Sequence, residues 1–261
     1  HMTEDTGWIT DSAVKWLTGN KSSRFFMMVN YNAPHTPYQP PKESFADFEP
    51  KLDGVSGFDK RYLGEIAWTD QNIKRLLKAL DDLDLSRRTI VVLTSDHGEV
   101  MDPRHECYSY NWKSACLHNH GKTLFEEELH VPLVMRLPKR IPAGRIVSSP
   151  ASQLDLLPTL MGLLGVRPTD DMLGRDLSRA TLGKEEPQEI PIVAEGRLSA
   201  SMRYQGFKYI IHDRRENMKF ESKTLFKRGK SLEELYDLRT DPEELNNLAL
   251  LGVSEKLLEV R

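Results

Sequence analysis

The apolar run TIVVLTSD (89–96) ends in Ser95-Asp96-His97-Gly98. An aspartate beside a histidine offers one divalent cation a hard oxygen and a borderline nitrogen. Gly98 lets the backbone turn sharply after the pair. The bland alternative is a helix cap by Asp96 and a surface histidine. A second apolar run, FFMMVNY (25–31), leads into Pro34-His35-Thr36-Pro37. In open parallel sheets ligands gather at the carboxyl ends of strands, so His35 is expected on the same rim as Asp96 and His97. Held between prolines, His35 loses little entropy on engaging a ligand. Its alternative is a loop histidine bonded to backbone.

Five of the eight histidines fall between positions 97 and 130: His97, His105, His118, His120 and His130. That density is unusual for a routine core; the alternative is a polar loop rich in histidine. His118-Asn119-His120 is not a zinc-finger spacing, and Cys107 and Cys116 form no CxxC pair, so a structural zinc site has little support. Lys122 precedes an apolar and acidic helical turn; a lone lysine is more often a solvated surface charge. Taken together these residues point to an oxyanion site. A divalent metal with His and Lys donors would stabilise charge on a tetrahedral anion. A histidine would protonate the leaving oxygen.

These groups need elements to hold them. Residues 11–19 read as a short helix, with Asp11 as N-cap and Gly19 as stop. Phe25–Tyr31 and 89–96 read as buried strands, and 130–137 as a third. Residues 59–80 form the strongest helix, with Tyr62, Ile66, Ile73, Leu76, Leu77 and Leu80 on one face. Strand, long helix, strand predicts a right-handed parallel crossover. Residues 152–164 read as a helix ending at Gly165, with Pro158 as kink or restart. Beyond residue 167 the texture changes. A Pro-, Gly- and charge-rich connector leads to the short strands IPIVAEG, SMRYQGFKYIIHD and SLEELYDL, then to a final helix over roughly 242–260.

The chain has 261 residues and a net charge of −3. Such a length buries a real core. Near-neutral charge argues against binding nucleic acid mainly through phosphates. No apolar run approaches the ~20 residues of a membrane span. His1-Met2 resembles a cloning scar, and no secretory pattern follows it. That leaves the compartment open.

The series FFMMVNYNAPHTPYQPP, TIVVLTSDHGE, HGKTLFEEELHVPLVMRLP and IPAGRIVSSPASQLDLLPTLMGLLG resembles the sulfatase family of the alkaline-phosphatase superfamily, in family order. ELYDLRTDPEELNNLA resembles that family's C-terminal signature, so the likeness covers most of residues 24–250. It implies an α/β fold: part of an alkaline-phosphatase-like sandwich with a mostly parallel sheet, plus a small C-terminal antiparallel subdomain with a helix. The implied boundaries are 1–166 for the catalytic-domain part, 167–190 for the connector and 191–261 for the subdomain.

The resemblance also implies roles. Asp96 and His97 match the later pair of metal ligands, for Ca2+ or a similar ion such as Mg2+ or Mn2+. His35 matches the histidine that contacts the sulfate or leaving-group oxygen. His120 or Lys122 matches the donor to the sulfate, and Asp70 a structural aspartate of the long helix. The insertion between Glu99 and Leu117 would shape substrate access. The partner implied is a sulfate-ester small molecule or a sulfated glycan.

One departure matters more. The family nucleophile is a formylglycine made in a C/S-x-P-S-R or C-x-A-x-R motif. Cys107 begins CYSYN and Cys116 begins CLHNH, and no serine has the motif. The early Asp-Asp metal pair is absent too. The chain therefore reads as the C-terminal portion of a longer enzyme, inactive alone, with weak metal binding and an exposed sheet surface through which it would associate. Two further readings stay open. One is a phosphodiesterase or phosphonate monoester hydrolase of the same superfamily. The other is a non-catalytic module binding an anion or a partner.

Overall fold

The computed structural model describes residues 6–45, 57–105, 119–196, 199–212 and 233–251. The chain divides into two compact units. One is His1–Val91 with Leu137–Lys139; the other is Val92–Arg136 with Arg140–Arg261.

In the first unit, α1 (Thr6–Asn20) and α2 (Gly57–Asp82) carry the expected helical periods over longer spans. Leu17, Leu80 and Leu85 are buried together, with Phe25, Met27, Leu76, Leu77 and Val91 packed against them. Each fully buried leucine contributes about 1.5–3 kcal/mol relative to exposure. Neither expected end of α1 holds. Asp11 lies inside the helix, where its carboxylate pairs with Arg75. Gly19 is helical, and the next residue, Asn20, donates from Nδ2 to the Trp16 carbonyl (2.9 Å). On α2, Ile66 is exposed rather than facing the core, and Asp70 is exposed as well.

Phe25–Tyr31 is extended but is not a strand among the described residues. Its side chains alternate as a strand's would: Phe25, Met27, Val29 and Tyr31 are half-buried, while Phe26 and Met28 are 86% and 80% exposed. Alternation sets faces, but a strand also needs a ladder partner. The first limb of the expected crossover is therefore missing from the described ladders. The prolines after it make an irregular loop, held at one point by a buried carboxylate. The Gln39 N–H donates to Glu65 Oε1 on α2 (2.6 Å), and Tyr38 packs edge-on against Tyr62.

The second unit begins as β1 (Val91–Thr94) leaves the first; β1 pairs with β2 (Leu133–Arg136) in a two-stranded sheet. Both strands are shorter and more exposed than the sequence predicts. Between them, α3 (Glu126–Leu129) is a single acidic turn. After them comes α4 (Leu156–Leu164), entered through a 3-10 turn at Gln153–Asp155. Ser152 and Asp155 cap that entry reciprocally. Pro158 sits in the first turn of α4, where a missing N–H costs nothing, so it marks a restart. Gly165 closes α4 at φ 74°, in the left-handed region, as expected.

The connector contains one short helix, α5 (Ser178–Thr181). The strands β3 (Ile192–Glu195), β4 (Ser199–Tyr204), β5 (Phe207–His212) and β6 (Glu233–Asp237) then form an antiparallel sheet in sequential order. Tyr204 faces Phe207 across a two-residue turn, with Gln205 and Gly206 both at positive φ. Leu124 and Phe125, just before α3, share a core with Ile210 and Tyr236 of this sheet.

The expected helix over 242–260 does not form in its described part. Residues 242–247 are irregular, and only Leu248–Leu251 makes a 3-10 turn. Asp241 accepts the N–H groups of Leu245 and Asn246, and Asn247 accepts those of Leu235 and Ala249. Side chains thus take the donors that a helix would use. Residues 252–261 lie outside the described set.

Candidate functional site

The loop after β1 is shaped by its glycine. A Cβ on Gly98 would stand 2.0 Å from the Glu127 carbonyl oxygen. This close approach lets Gly98 N–H donate to Glu128 O (2.8 Å) and Glu99 N–H to Glu127 O (3.1 Å). Val100, fully buried, donates to Asn119 O (3.0 Å). Residues 97–100 are thereby laid against α3 and against the segment 119–123.

Asp96 stands at the lip with its side chain 87% exposed. Its Oδ1 accepts the His97 N–H at 3.0 Å. Gln153 supports the backbone behind it, donating to Ser95 O (2.7 Å). His97 Nδ1 lies 2.7 Å from Gly98 O. A carbonyl only accepts, so Nδ1 donates here, and in the neutral form of the ring Nε2 carries the lone pair. That nitrogen is 3.7 Å from Asp96 Oδ2, too far for a hydrogen bond. A carboxylate oxygen and an imidazole nitrogen therefore lie side by side, a donor pair of the right chemistry for a divalent cation when the ring is neutral. Among the described residues no group of three or more His, Cys, Asp or Glu side chains is arranged for one ion.

His120 stacks on His97, with ring centroids 3.9 Å apart and planes inclined by 26°. Its Nδ1 faces the buried Glu99 carboxylate at 3.3 Å. Lys122 is half-buried two residues on, in the same loop. Gly121 turns that loop at φ 72°. Asp96, His97, His120 and Lys122 thus belong to one continuous piece of the second unit. His35 belongs to the first. It is exposed, and Nδ1 donates to Thr36 O (2.7 Å).

The other histidines do different work. His105 stacks on Phe125 and places Nδ1 on Glu127 and Nε2 on Glu243 O (2.8 Å). Burial alone would pull its pKa down, but Glu127, the Glu243 carbonyl and Asp102 outweigh it and hold the ring above its ordinary value. Burial likewise pushes Glu127 up, yet His105 and the Met101 and Asp102 N–H groups bring it below the usual carboxylate range. The Arg104 guanidinium on Asp102 holds that carboxyl down at about 2. His130 is exposed, 3.9 Å from Glu126. His118, Cys107 and Cys116 lie outside the described residues, as does most of the 99–117 insertion.

Sequence reasoning missed Glu99, Glu127, Glu128 and Gln153. The available signal was Glu126-Glu127-Glu128, three acids on a turn too short to solvate them all. Each faces elsewhere. Glu126 pairs with Arg203 (3.4 Å) and with the buried Lys208 (3.2 Å), which also meets Glu244 (2.9 Å). Glu127 holds the 101–105 segment, and Glu128 holds the 121–123 segment.

An α/β chain with this site is matched by two family profiles. The one described as Sulfatase covers residues 3–166, and N-sulphoglucosamine sulphohydrolase, C-terminal, covers 118–257. The chain belongs to the sulfatase family. Steryl-sulfatase of Mus musculus is 31% identical over 186 residues, which are 69% of this chain and 28% of that protein. N-acetylgalactosamine-6-O-sulfatase of Bacteroides thetaiotaomicron is 25% identical, over 92% of this chain and 47% of its own length. The crystal structure of Ps i-CgsB in complex with k-i-k-neocarrahexaose superposes with a TM-score of 0.69 at 25% identity, covering 95% of this chain and 51% of that one. The chain spans about half or less of the length of these relatives.

Proposed function

We propose that this chain supplies part of the active site of a sulfuric ester hydrolase. The observation that carries the reading is the convergence of Asp96, His97 and His120, with His97 Nε2 3.7 Å from Asp96 Oδ2 and the His97 and His120 rings stacked. Asp96 and His97 would be two ligands of a divalent cation, Ca2+ in first place and Mg2+ or Mn2+ after it. Such an ion would draw charge from the non-bridging oxygens of the ester. His120 and Lys122 donate to the anion, and His35 serves the sulfate or leaving-group oxygen. The substrate class is a sulfate-ester small molecule or a sulfated glycan. The names of the related N-acetylgalactosamine-6-O-sulfatase and of the k-i-k-neocarrahexaose complex support this choice.

In the same reading β1 and β2 belong to a mostly parallel sheet. Residues 1–166 form the catalytic-domain part, 167–190 the connector and 191–261 the C-terminal subdomain. The fold likeness and the end of the Sulfatase match at residue 166 support that division. Among the described residues no helix is long and apolar enough to cross a membrane.

The test is turnover of nitrophenyl sulfate and nitrophenyl phosphate by the native gene product, with and without chelator. The expected result is metal-dependent cleavage of the sulfate, lost in Asp96→Ala and His120→Ala. Preference for the phosphate would make the enzyme a phosphoesterase, and sulfated-sugar binding without turnover would make it a binding module. The 261-residue chain holds no formylglycine motif and is expected to cleave neither ester alone.

A further inference from the structure

The two segments that carry the candidate site meet on one buried side chain. Glu128 is 3% exposed. Its backbone oxygen accepts Gly98 N–H at 2.8 Å, fixing the turn just after His97. Its carboxylate reaches the other way. Oε2 accepts Gly121 N–H at 2.5 Å, and Oε1 accepts both Thr123 N–H (3.0 Å) and the Thr123 hydroxyl. Gly121 and Thr123 flank Lys122, and Gly121 follows His120 directly. Backbone N–H groups on a buried carboxylate form charge-assisted bonds, stronger than neutral ones.

We propose that Glu128 is a positioning residue: it sets the spacing between the Asp96-His97 turn and the His120-Lys122 loop, and so the face-to-face contact of the two imidazoles. The proposal rests on the functional reading above only for its catalytic consequence. Its structural content stands on the hydrogen bonds alone. Without the carboxylate, the buried Thr123 N–H and the part-buried Gly121 N–H lose this acceptor. The left-handed Gly121 turn then loses its hydrogen bond to α3. Glu128 itself points away from solvent and would touch no substrate.

Stacked imidazoles shift each other's ring protons upfield, so carbon–proton NMR of the histidine rings reads the contact without any activity assay. In the 261-residue chain, His97 and His120 should show that shift. Glu128→Ala should lose more than half of it while circular dichroism still melts cooperatively. Thr123→Val removes one hydroxyl and should retain the shift. Unmoved rings in Glu128→Ala, or no stacking shift in the unmodified chain, overturn the proposal. If Glu128→Ala fails to fold, Glu128→Gln decides. Gln keeps one acceptor oxygen and turns an amide NH2 toward the other donor, so a partial loss is expected and no loss refutes the proposal. In the native gene product, kcat for a sulfate ester should fall at least about tenfold, since displacing positioned groups by on the order of 1 Å costs up to ~100-fold. Glu128→Gln should recover part of it. Lost stacking in a variant of a protein that cleaves no sulfate ester would sink the functional reading and leave the positioning role standing.

Discussion

Gly98 shows how much of a site rests on an atom that is absent. The side chain an alanine adds there would meet the Glu127 carbonyl oxygen at 2.0 Å, and the obstacle is the backbone of Glu127 and Glu128, which has no rotamer to give way. Relief requires parting the 97–100 turn from α3, which breaks the Gly98 and Glu99 backbone bonds together. Gly98→Ala is therefore expected to destabilise the protein by about 3 kcal/mol, at the upper end of overpacking costs. Urea unfolding checks this. A loss below about 0.5 kcal/mol, the scale of ordinary surface substitutions, would mean the two segments are not held together as described. At this scale Asp96, His97 and His120 were legible because their types announce chemistry. Glu128 was not, because it acts on the N–H groups of Gly121 and Thr123, which any residue but proline has. A carboxylate that serves backbone leaves no side-chain partner in the sequence to reveal it.

Short elements depend on buried charged groups that hold their ends. Asp155, at the entry to α4, accepts N–H groups from Ser152 and Arg175 and the Arg175 guanidinium. Burial raises its pKa, but those donors and the positive charge prevail and hold it below the ordinary value. A depressed folded pKa means stability that is present above the unfolded pKa and lost as pH falls through the folded one. Asp155→Ala leaves a half-buried guanidinium without its carboxylate and is expected to cost about 3 kcal/mol or more at neutral pH. The difference from the unmodified protein should shrink as pH drops below 4; a constant difference in denaturant midpoints would refute the linkage. His105 runs the other way. Its folded pKa is raised, so its contribution is complete below about 6.5, the unfolded value, and fades as pH rises through the folded one. His105→Gln should therefore cost most just below about 6.5, where Glu127 is still ionised, and progressively less as pH rises through the folded value. Element boundaries were legible where a period was strong, as along α2 and β3–β6. They failed where local side chains competed, as Asp241 and Asn247 do over 242–247. They failed also where a ladder partner was needed, as for Phe25–Tyr31.

For the molecule as a whole, the apolar surface is the informative quantity. Phe26 and Met28 project from the same face of one extended segment, 86% and 80% exposed. Elsewhere Leu173 (88%), Ile146 (80%), Leu154 (59%) and Leu157 (57%) are exposed as well. Scattered apolar residues are normal on a soluble surface, but two large ones in register on a segment that joins no described ladder present a sticky face. A net charge of −3 supplies little electrostatic repulsion to keep copies apart. The 261-residue chain is therefore expected to self-associate through this segment, a second copy providing what the described ladders do not. Sedimentation velocity across a concentration series should show a rising mean mass and bound hydrophobic dye. The double variant Phe26→Asp, Met28→Asp should restore a monomer and lower the dye signal. Both side chains point away from the Leu17–Leu80–Leu85 core, so its thermal midpoint should move little. A chain monomeric at all concentrations, or a double variant that associates as before, would place the apolar burden elsewhere. A variant that loses its cooperative melt would show instead that the exposed face already packs within the first unit.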